Sequence, residues 1–449
     1  MKIEQFEDKG LAHYSYAILS ESQREIVLID PARNPQPYYA YAEQHQSKIV
    51  AVIETHPHAD FVSAHLEIHQ KTGATIYAHP MVRADYPHQP LDEGAILEVG
   101  GIKLKPLHTP GHSPDGISIV LEHEGKDKAV FTGDTLFIGD VGRPDLREHA
   151  GAMTAKREEL ARQLFRSTRD KLMQLEDEVL VYPAHGAGSL CGKGLSNANS
   201  STIGAEKAGN YALQPMSEEA FVKLIVADQP FIPKYFGYNV SLNKAGAPAY
   251  LPSLEGVKRL GKIAEVKGSA VIVDARPQAQ FKQGHLNGAI NIQNGGKFET
   301  WLGSIVHPDE QFYLLAESEE ALEELISKSA KIGYEQLIIG ALVYNQQGGE
   351  QSAAFDAAAF KANKAAYTLI DIRNGSETKA GTFFDGAITI PLPELRERAG
   401  EIPTDKPVVV HCAGGYRSAA GSSILASVLP VKVLDMGEAI NHLKENQQV

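Results

Sequence analysis

The sequence has few thiols, no long apolar run and a deficit of positive charge. Its 449 residues include two cysteines, Cys191 and Cys412, which are too few for a disulfide framework and are typical of a reducing compartment. No apolar run approaches the roughly 20 residues that a membrane-spanning helix needs. The formal net charge of −13 argues against nucleic acid or an anionic membrane surface as a partner, because both attract a basic face.

The length of the chain and its first residues suggest a soluble protein of several domains. A chain of 449 residues exceeds what one hydrophobic core supports, and it predicts two to four domains. The first eight residues lack the basic start and apolar core of a signal peptide, so we expect a cytoplasmic protein. A linker rich in glycine and proline at 244–252 divides the chain. The predicted domains are residues 1–245, 253–350 and 354–449.

A cluster of metal-competent side chains follows an apolar, β-branched run at residues 49–53. The run predicts a buried strand, and His56, His58 and Asp60 follow it at alternate positions. Alternation places the three side chains on one side of an extended chain. Imidazole and carboxylate are common metal ligands. The spacing therefore predicts a metal site at the end of this strand.

Three further predicted strands end in the same kind of residue. Residues 102–107 lead to Thr-Pro-Gly-His112, residues 129–132 to Gly-Asp134, and residues 178–182 to Pro-Ala-His185. Ligands gathered at one edge of packed strands are what a metal site at the mouth of a sheet sandwich requires.

This order of motifs resembles the metallo-β-lactamase superfamily over roughly residues 1–245. The resemblance implies an α/β fold, an αββα sandwich with the metal at one edge. Within the family, the segment from Thr132 to Asp145 is similar to the persulfide dioxygenase branch, a close relative of the glyoxalase II thioesterases.

Phe61 is the main departure from that family. Dinuclear members usually have a histidine at this position, and a phenyl ring cannot ligate a metal. One metal held by His56, His112 and Asp134 is then expected, and two imidazoles with one carboxylate are the facial arrangement of non-haem iron(II) enzymes. The predicted cofactor is a mononuclear Fe²⁺. The residues expected to orient ligands or substrate are His58, Asp60 and His185. The alternative is that Phe61 is tolerated and the site holds two zinc ions.

The loop at residues 139–145 is predicted to have a structural role. Its glycines allow tight turns, and Arg143 and Asp145 can hold the loop in place. The alternative is a direct contact between Arg143 and the substrate.

Cys191 is a candidate catalytic residue. Small residues on both sides leave room for a ligand, and Lys193 nearby is expected to favour the thiolate. An ordinary buried cysteine is the alternative, and the resemblance to dioxygenases fused to sulfurtransferases favours a role in catalysis. The polar stretch at residues 197–207 is interpreted as a loop, either at the substrate entrance or on the plain surface.

The C-terminal half contains an internal repeat. Residues 270–276 and 367–373 are each an apolar strand closed by Asp-x-Arg, followed by Gly-Ala and a second apolar strand. Such a repeat of about a hundred residues predicts two α/β units. It resembles tandem rhodanese domains.

The two copies differ at the expected active loop. In the second copy a strand runs into Cys412, and Arg417 follows after four residues, as in the rhodanese active loop. Backbone N–H groups at a helix N-terminus can stabilise a sulfur anion there, and Arg417 can hold an anionic acceptor. The other predicted loop residues are Ala413, Gly414, Gly415, Tyr416 and Ser418. In the first copy, residues 316–320 contain no sulfur nucleophile, so we expect a silent spacer or docking surface.

Together these features predict linked persulfide chemistry. A thiol persulfide, of glutathione, coenzyme A or a similar carrier, would be oxidised by O₂ at the iron to sulfite. Cys412 would then transfer a sulfane sulfur to sulfite, giving thiosulfate. The alternatives are a dinuclear zinc thioesterase of the glyoxalase II type and a non-oxidative sulfur carrier or sensor. A homo-oligomer is also expected.

Overall fold

The computed structural model describes residues 1–148, 156–345 and 349–444. By its internal contacts the chain divides into two compact units, residues 1–253 with 330–333, and residues 254–329 with 334–449. The last five residues of the predicted third domain lie outside the described residues. Within the described ranges, no helix has the length and apolar character needed to cross a bilayer.

The first sheet of the N-terminal unit has six strands among the described residues. The first three pair antiparallel and the rest pair parallel. In order across the sheet, the strands are Lys2–Asp8, His13–Ser20, Glu25–Ile29, Lys48–Ile53, Thr75–Ala78 and Gln89–Pro90. Every residue of the second strand is buried, which agrees with its apolar and aromatic composition.

A second sheet of six described strands packs against the first. In order across the sheet, its strands are Ser201–Thr202, Leu180–Pro183, Lys126–Gly133, Ile117–His123, Ile102–His108 and Leu97–Val99. A separate two-stranded ribbon joins Leu136–Phe137 to Asp140–Val141. Only the pair between Lys126–Gly133 and Leu180–Pro183 is parallel.

The core lies between the two sheets and is covered by helices on both outer faces. Ile29 and Ile53 of the first sheet pack in one cluster with Ile119 and Phe131 of the second. The helices on the outer faces are Gln36–Gln44 and His65–Thr72 on the first sheet, and Arg157–Arg166, Ile203–Gly209 and Glu218–Val226 on the second. Two more helices, Phe236–Ala245 and Tyr250–Glu255, complete the unit. The predicted αββα sandwich is confirmed.

Parallel pairing aligns the strand ends that carry the candidate ligands. Gly133 pairs with Pro183, so Asp134 and the Ala184–His185 segment leave the second sheet side by side. The N–H of Ile117 donates to the carbonyl of Thr55 at 2.9 Å, which joins the loop after the first sheet to the second sheet. The candidate ligands therefore meet at one edge of the sandwich.

Among its described residues, the second unit has two four-stranded parallel sheets of the same strand order. The first sheet runs Ala289–Asn291, Val271–Asp274, Phe312–Ala316 and Ile338–Val343, and the second runs Ile388–Thr389, Thr368–Asp371, Val408–His411 and Val433–Asp435. The helices are Gln278–Gln283, Phe298–Ile305, Glu319–Lys331, Ala357–Ala362, Gly375–Ala380, Leu395–Arg398, Tyr416–Val428 and Ile440–Leu443. The shared order confirms the predicted repeat.

The Asp-x-Arg motif has the same structural role in both copies. Asp274 pairs with Arg276, and Asp371 with Arg373, each with a closest N–O distance of 2.7 Å. Each arginine also donates to a backbone carbonyl eight residues further along the chain. The motif thus ties each first strand to the loop that follows its helix.

Candidate active sites

Three buried side chains converge at the edge of the N-terminal sandwich. Nε2 of His56 lies 3.8 Å from Oδ2 of Asp134, and Nε2 of His112 lies 3.4 Å from the same oxygen. The ligand atoms of these three residues lie within 4.8 Å of one another. The structure therefore brings together the three residues that the sequence predicts as metal ligands.

Hydrogen bonds orient both imidazoles toward that point. Nδ1 of His112 lies 2.9 Å from the carbonyl oxygen of Arg143, and Nδ1 of His56 lies 3.1 Å from Oγ1 of Thr55. Nε2 of His56 and Oδ2 of Asp134 are buried and have no hydrogen-bond partner in the described part of the chain. Burial lowers the pKa of both imidazoles, which keeps them neutral, as ligation requires. Since buried polar atoms are normally satisfied, this donor set fits a metal ion.

His185 is held between two carboxylates. Its Nδ1 lies 2.8 Å from Oδ1 of Asp134, and its Nε2 lies 2.7 Å from Oδ2 of Asp60. Burial opposes a charged imidazole, but Asp134 and Asp60 outweigh it and raise the pKa of His185 well above its ordinary value. In turn His185 and His112 lower the pKa of Asp134 well below its usual range, against the effect of its burial. His185 thus holds the Asp134 carboxylate with Oδ2 directed at the two imidazoles.

Phe61 packs among imidazoles beside this cluster. Its ring centroid lies 3.7 Å from that of His13 and 4.4 Å from that of His58. His13 is buried and is the first residue of the strand His13–Ser20. The sequence did not predict it as a site residue, because a single histidine at the start of a strand has no motif around it. His58, Asp60 and His185 form a second group of potential ligands, and an apolar ring lies against it.

Asp30 contacts the His-x-His-x-Asp loop, and the sequence analysis did not predict it as a site residue. Its carboxylate accepts hydrogen bonds from the N–H and the Oγ1 of Thr55, both at 2.7 Å. Nε2 of His58 lies 3.2 Å from Oδ1 of Asp30. A chain of contacts thus runs from Asp30 through Thr55 to His56. Asp30 directly follows the strand Glu25–Ile29, just as the predicted ligands follow their strands, and that position was the available signal.

Arg143 is engaged entirely within the protein. Its Nε and Nη2 donate to the two oxygens of Asp145, both at 2.7 Å. The remaining donors reach three backbone carbonyls, those of Leu190, Phe231 and Pro230. These contacts favour the structural role of Arg143 over a contact with substrate.

Cys191 lies next to the candidate metal ligands, with Sγ within 4.8 Å of the potential ligand atoms of Asp134 and His185. Burial, followed by the charges of Asp60 and Asp134, raises the pKa of its thiol well above the ordinary value. The expectation that Lys193 favours the thiolate is wrong, because Nζ of Lys193 instead donates to the carbonyls of Leu224 and Ala227 at the end of a helix.

The stretch at 197–207 is a loop only in its first part. Ser201–Thr202 is a strand, and the helix Ile203–Gly209 begins directly after it. Oγ1 of Thr202 accepts a hydrogen bond from the N–H of Ala205 at 3.1 Å. The interpretation of the whole stretch as a loop is therefore wrong, because Thr202 caps a helix that begins inside it.

Cys412 stands at the end of the strand Val408–His411 in the second rhodanese-like copy. The N–H of Gly415 lies 3.1 Å from its Sγ. Gly415 has a φ of +99°, and a Cβ there would lie 2.8 Å from the backbone nitrogen of Glu438. Only glycine fits this turn, and the helix Tyr416–Val428 starts immediately after it. The turn places the sulfur near a helix N-terminus, a position that stabilises anionic sulfur.

The rest of this loop is held by four contacts. Nη1 and Nη2 of Arg417 donate to the two carboxylate oxygens of Glu377 at 2.6 and 2.7 Å. Oγ of Ser418 donates to the carbonyl of Gly415, and the hydroxyl of Tyr416 donates to the carbonyl of Gln293 in the first copy. Ala413 and Gly414 are exposed. Glu377 was missed from the sequence because its partner is 40 residues away.

Two family models match the sequence. The model of the metallo-beta-lactamase superfamily matches residues 9–185, and the model of the rhodanese-like domain matches residues 258–361 and 354–440. The first span includes His56, His112, Asp134 and His185, and the last includes Cys412.

Curated relatives resemble less than half of the chain. The cytoplasmic hydroxyacylglutathione hydrolase of Arabidopsis thaliana is 36% identical over 134 residues, which are 29% of this chain and 52% of that protein. The hydroxyacylglutathione hydrolase GloC of Haemophilus influenzae is 27% identical over 222 residues, which are 45% of this chain and 93% of that protein.

Solved structures resemble a larger part. A metallo-beta-lactamase from Staphylococcus aureus subsp. aureus COL has a TM-score of 0.67 and 30% identity, covering 76% of this chain and 98% of that one. ETHE1 from Myxococcus xanthus has a TM-score of 0.48 and 28% identity, covering 55% of this chain and 99% of that one. The staphylococcal likeness continues past the N-terminal sandwich into the second unit.

Proposed function

We propose, since this chain belongs to the metallo-beta-lactamase superfamily and carries two rhodanese-like domains, that it oxidises a thiol persulfide and transfers sulfur to the product. The N-terminal site would be a persulfide dioxygenase, and Cys412 would be a sulfurtransferase nucleophile. The substrate would be the persulfide of a small thiol such as glutathione or coenzyme A.

The packing of Phe61 carries this proposal. Its ring lies against His13 and His58, where dinuclear members of the family have a further imidazole ligand. The His58, Asp60 and His185 group keeps only two imidazoles and one carboxylate, and both nitrogens of His185 already contact carboxylates. One ion held by His56, His112 and Asp134 is the arrangement that these contacts favour, and it is the facial set used by non-haem iron(II) oxygenases.

When bound, a ferrous ion supplies activation of O₂ beside the substrate sulfur. The balanced reaction is RSSH + O₂ + H₂O → RSH + SO₃²⁻ + 2 H⁺, in which the terminal sulfur is oxidised and O₂ is reduced. His185 holds Asp134 in its ligating orientation, and Asp30 and Thr55 do the same for His56. Cys191 would contact the substrate sulfur, since its own sulfur lies beside Asp134.

Sulfur transfer would follow at the second site. The Cys412 thiolate would first take the terminal sulfur of a second thiol persulfide (RSSH + Cys–S⁻ → RSH + Cys–S–S⁻). The Cys–S–S⁻ group then reacts with SO₃²⁻, and its outer sulfur forms a new bond to the sulfite sulfur. The bond between Sγ of Cys412 and the outer sulfur breaks, and its electron pair stays on Cys412 as a thiolate. Thiosulfate leaves, so the total charge is −3 on both sides. The N–H of Gly415 is placed to stabilise that thiolate.

The test uses protein purified without added zinc and loaded with Fe²⁺ under anaerobic conditions. With glutathione persulfide we expect O₂ uptake to equal the sum of sulfite and thiosulfate formed, with about one iron per chain. A zinc-loaded sample of the same protein is the control and should consume no O₂. An iron-replete sample that consumes no O₂ would overturn the oxidation half of the proposal.

A thioesterase is the second candidate, favoured by the two hydroxyacylglutathione hydrolases among the relatives. That activity would require two zinc ions, and S-lactoylglutathione would be hydrolysed in the absence of O₂. Two zinc ions per chain together with that hydrolysis would replace the dioxygenase proposal.

A further inference from the structure

Arg417, in the loop that follows Cys412, is already paired with the carboxylate of Glu377. Glu377 engages Nη1 and Nη2 of Arg417 at once, at 2.6 and 2.7 Å, which is the bidentate geometry that an oxyanion would use. The sequence suggested Arg417 as the holder of an anionic acceptor. In this structure the carboxylate of Glu377 occupies the Nη1–Nη2 edge of the Arg417 guanidinium.

Glu377 is held in place from its own side as well. Its Oε2 accepts a hydrogen bond from the N–H of Asn374 at 3.0 Å, since Glu377 is the third residue of the helix Gly375–Ala380. Burial alone would raise the pKa of Glu377, but Arg417 and the Asn374 N–H outweigh it and lower that pKa. Glu377 is therefore a fixed, charged competitor at neutral pH.

Arg417 has a second support that does not depend on Glu377. The ring of Trp301, in the first rhodanese-like copy, lies 6.0 Å from the guanidinium carbon. An aromatic face attracts a cation at this distance. The side chain of Arg417 is also 14% exposed, so an anion from solvent can reach it. Arg417 would keep its place when the carboxylate moves away.

We propose that Glu377 is a specificity-determining residue of the sulfur-transfer site, because an anionic acceptor must displace its carboxylate from Arg417 in order to bind. The inference rests on the proposed function of Cys412. It adds that affinity for a small dianion such as sulfite is restrained by a built-in carboxylate. A neutral thiol acceptor needs no such displacement, so its reaction does not depend on Glu377.

The test compares Glu377→Gln with the unaltered full-length protein. Cys412 is loaded with sulfane sulfur from glutathione persulfide without O₂, and transfer is measured to sulfite and, separately, to dithiothreitol. We expect Glu377→Gln to lower the KM for sulfite by about tenfold and to leave the reaction with dithiothreitol unchanged. Glu377→Asp keeps the charge on a shorter side chain and should give an intermediate KM.

Glu401→Gln is the matched control. Glu401 pairs with Arg398 at 2.7 Å in the same copy, so this variant removes an equal charge without touching the loop, and its KM for sulfite should stay unchanged. A KM for sulfite that is unchanged or higher in Glu377→Gln, or equal effects on both acceptors, would reject the inference and leave the sulfurtransferase proposal standing. Failure of the unaltered protein to form thiosulfate would reject both.

Discussion

The ring of Phe61 lies 3.7 Å from that of His13, centroid to centroid, with an angle of 32° between the two planes. Both rings are buried. The centroid of the His58 imidazole also lies 4.4 Å from the centroid of the Phe61 ring. An apolar ring thus occupies space next to Asp60 and His185 that a metal ligand would need. We expect this packing to limit the number of ions that the N-terminal site can hold.

Phe61→His should create a second cation site. The new imidazole would join Asp60 and His185, and we expect metal content to rise from about one ion to about two per chain. O₂ uptake should fall, because the second ion would alter the ligand arrangement. Elemental analysis of zinc-saturated protein measures the change, with Phe61→Leu as a control that should stay at about one. Two ions in the unaltered protein would contradict the mononuclear site.

Thr55→Val should weaken metal binding without unfolding the loop. Valine matches threonine in shape but removes the hydroxyl that connects the Asp30 carboxylate to Nδ1 of His56. Loss of such an orienting partner lowers metal affinity by about 10–100-fold. Competition with a chelator measures the affinity. Thr72→Val is the control, since its hydroxyl bonds a helix carbonyl elsewhere, and an equal loss in both variants would disprove the positioning role.

Arg143→Met should destabilise the N-terminal unit. The variant leaves the buried Asp145 carboxylate without its partner and three backbone carbonyls without their donor. Breaking a buried ion pair in this way costs about 3–5 kcal/mol. Urea unfolding measures the free energy. Arg398→Met removes an exposed pair and should change stability little, so similar losses in the two variants would show that burial of the Arg143 pair is unimportant.

Cys412→Ser should separate the two reactions. Serine cannot carry a sulfane sulfur, so thiosulfate formation should stop, while O₂ uptake at the N-terminal site continues and sulfite accumulates. Both products are measured in one reaction mixture, so the dioxygenase step is its own control for folding. Thiosulfate still formed by the variant at the original rate would refute the carrier role of Cys412.

The motifs at strand ends could be predicted from the sequence, because the order of neighbouring residues is enough to place them at the end of a strand. The alternation of His56, His58 and Asp60 after an apolar run required only strand geometry. The repeat of Asp-x-Arg predicted two similar α/β units, and both sheets have the same order. The turn after Cys412 likewise follows from a glycine that no other residue can replace without a clash.

The missed residues are those whose partners are distant along the chain. His13 meets Phe61 across 48 positions of sequence, and Asp30 meets Thr55 across 25. Lys193 was assigned to the wrong partner, since proximity to Cys191 in sequence did not predict that its ammonium caps a helix. Contacts of this kind depend on how elements pack, and no local pattern records them.

Local periodicity and continuous motifs were enough to predict the fold class, the types of metal-competent side chain and the place of Cys412 in its loop. The packed structure was needed to see which nitrogen of each histidine faces Asp134 and which side chain lies beside Asp60. It was also needed to see that the Glu377 carboxylate pairs with Arg417. The physical reason is that orientation and competition between charges are properties of side chains in contact, and contact between distant residues is created by packing.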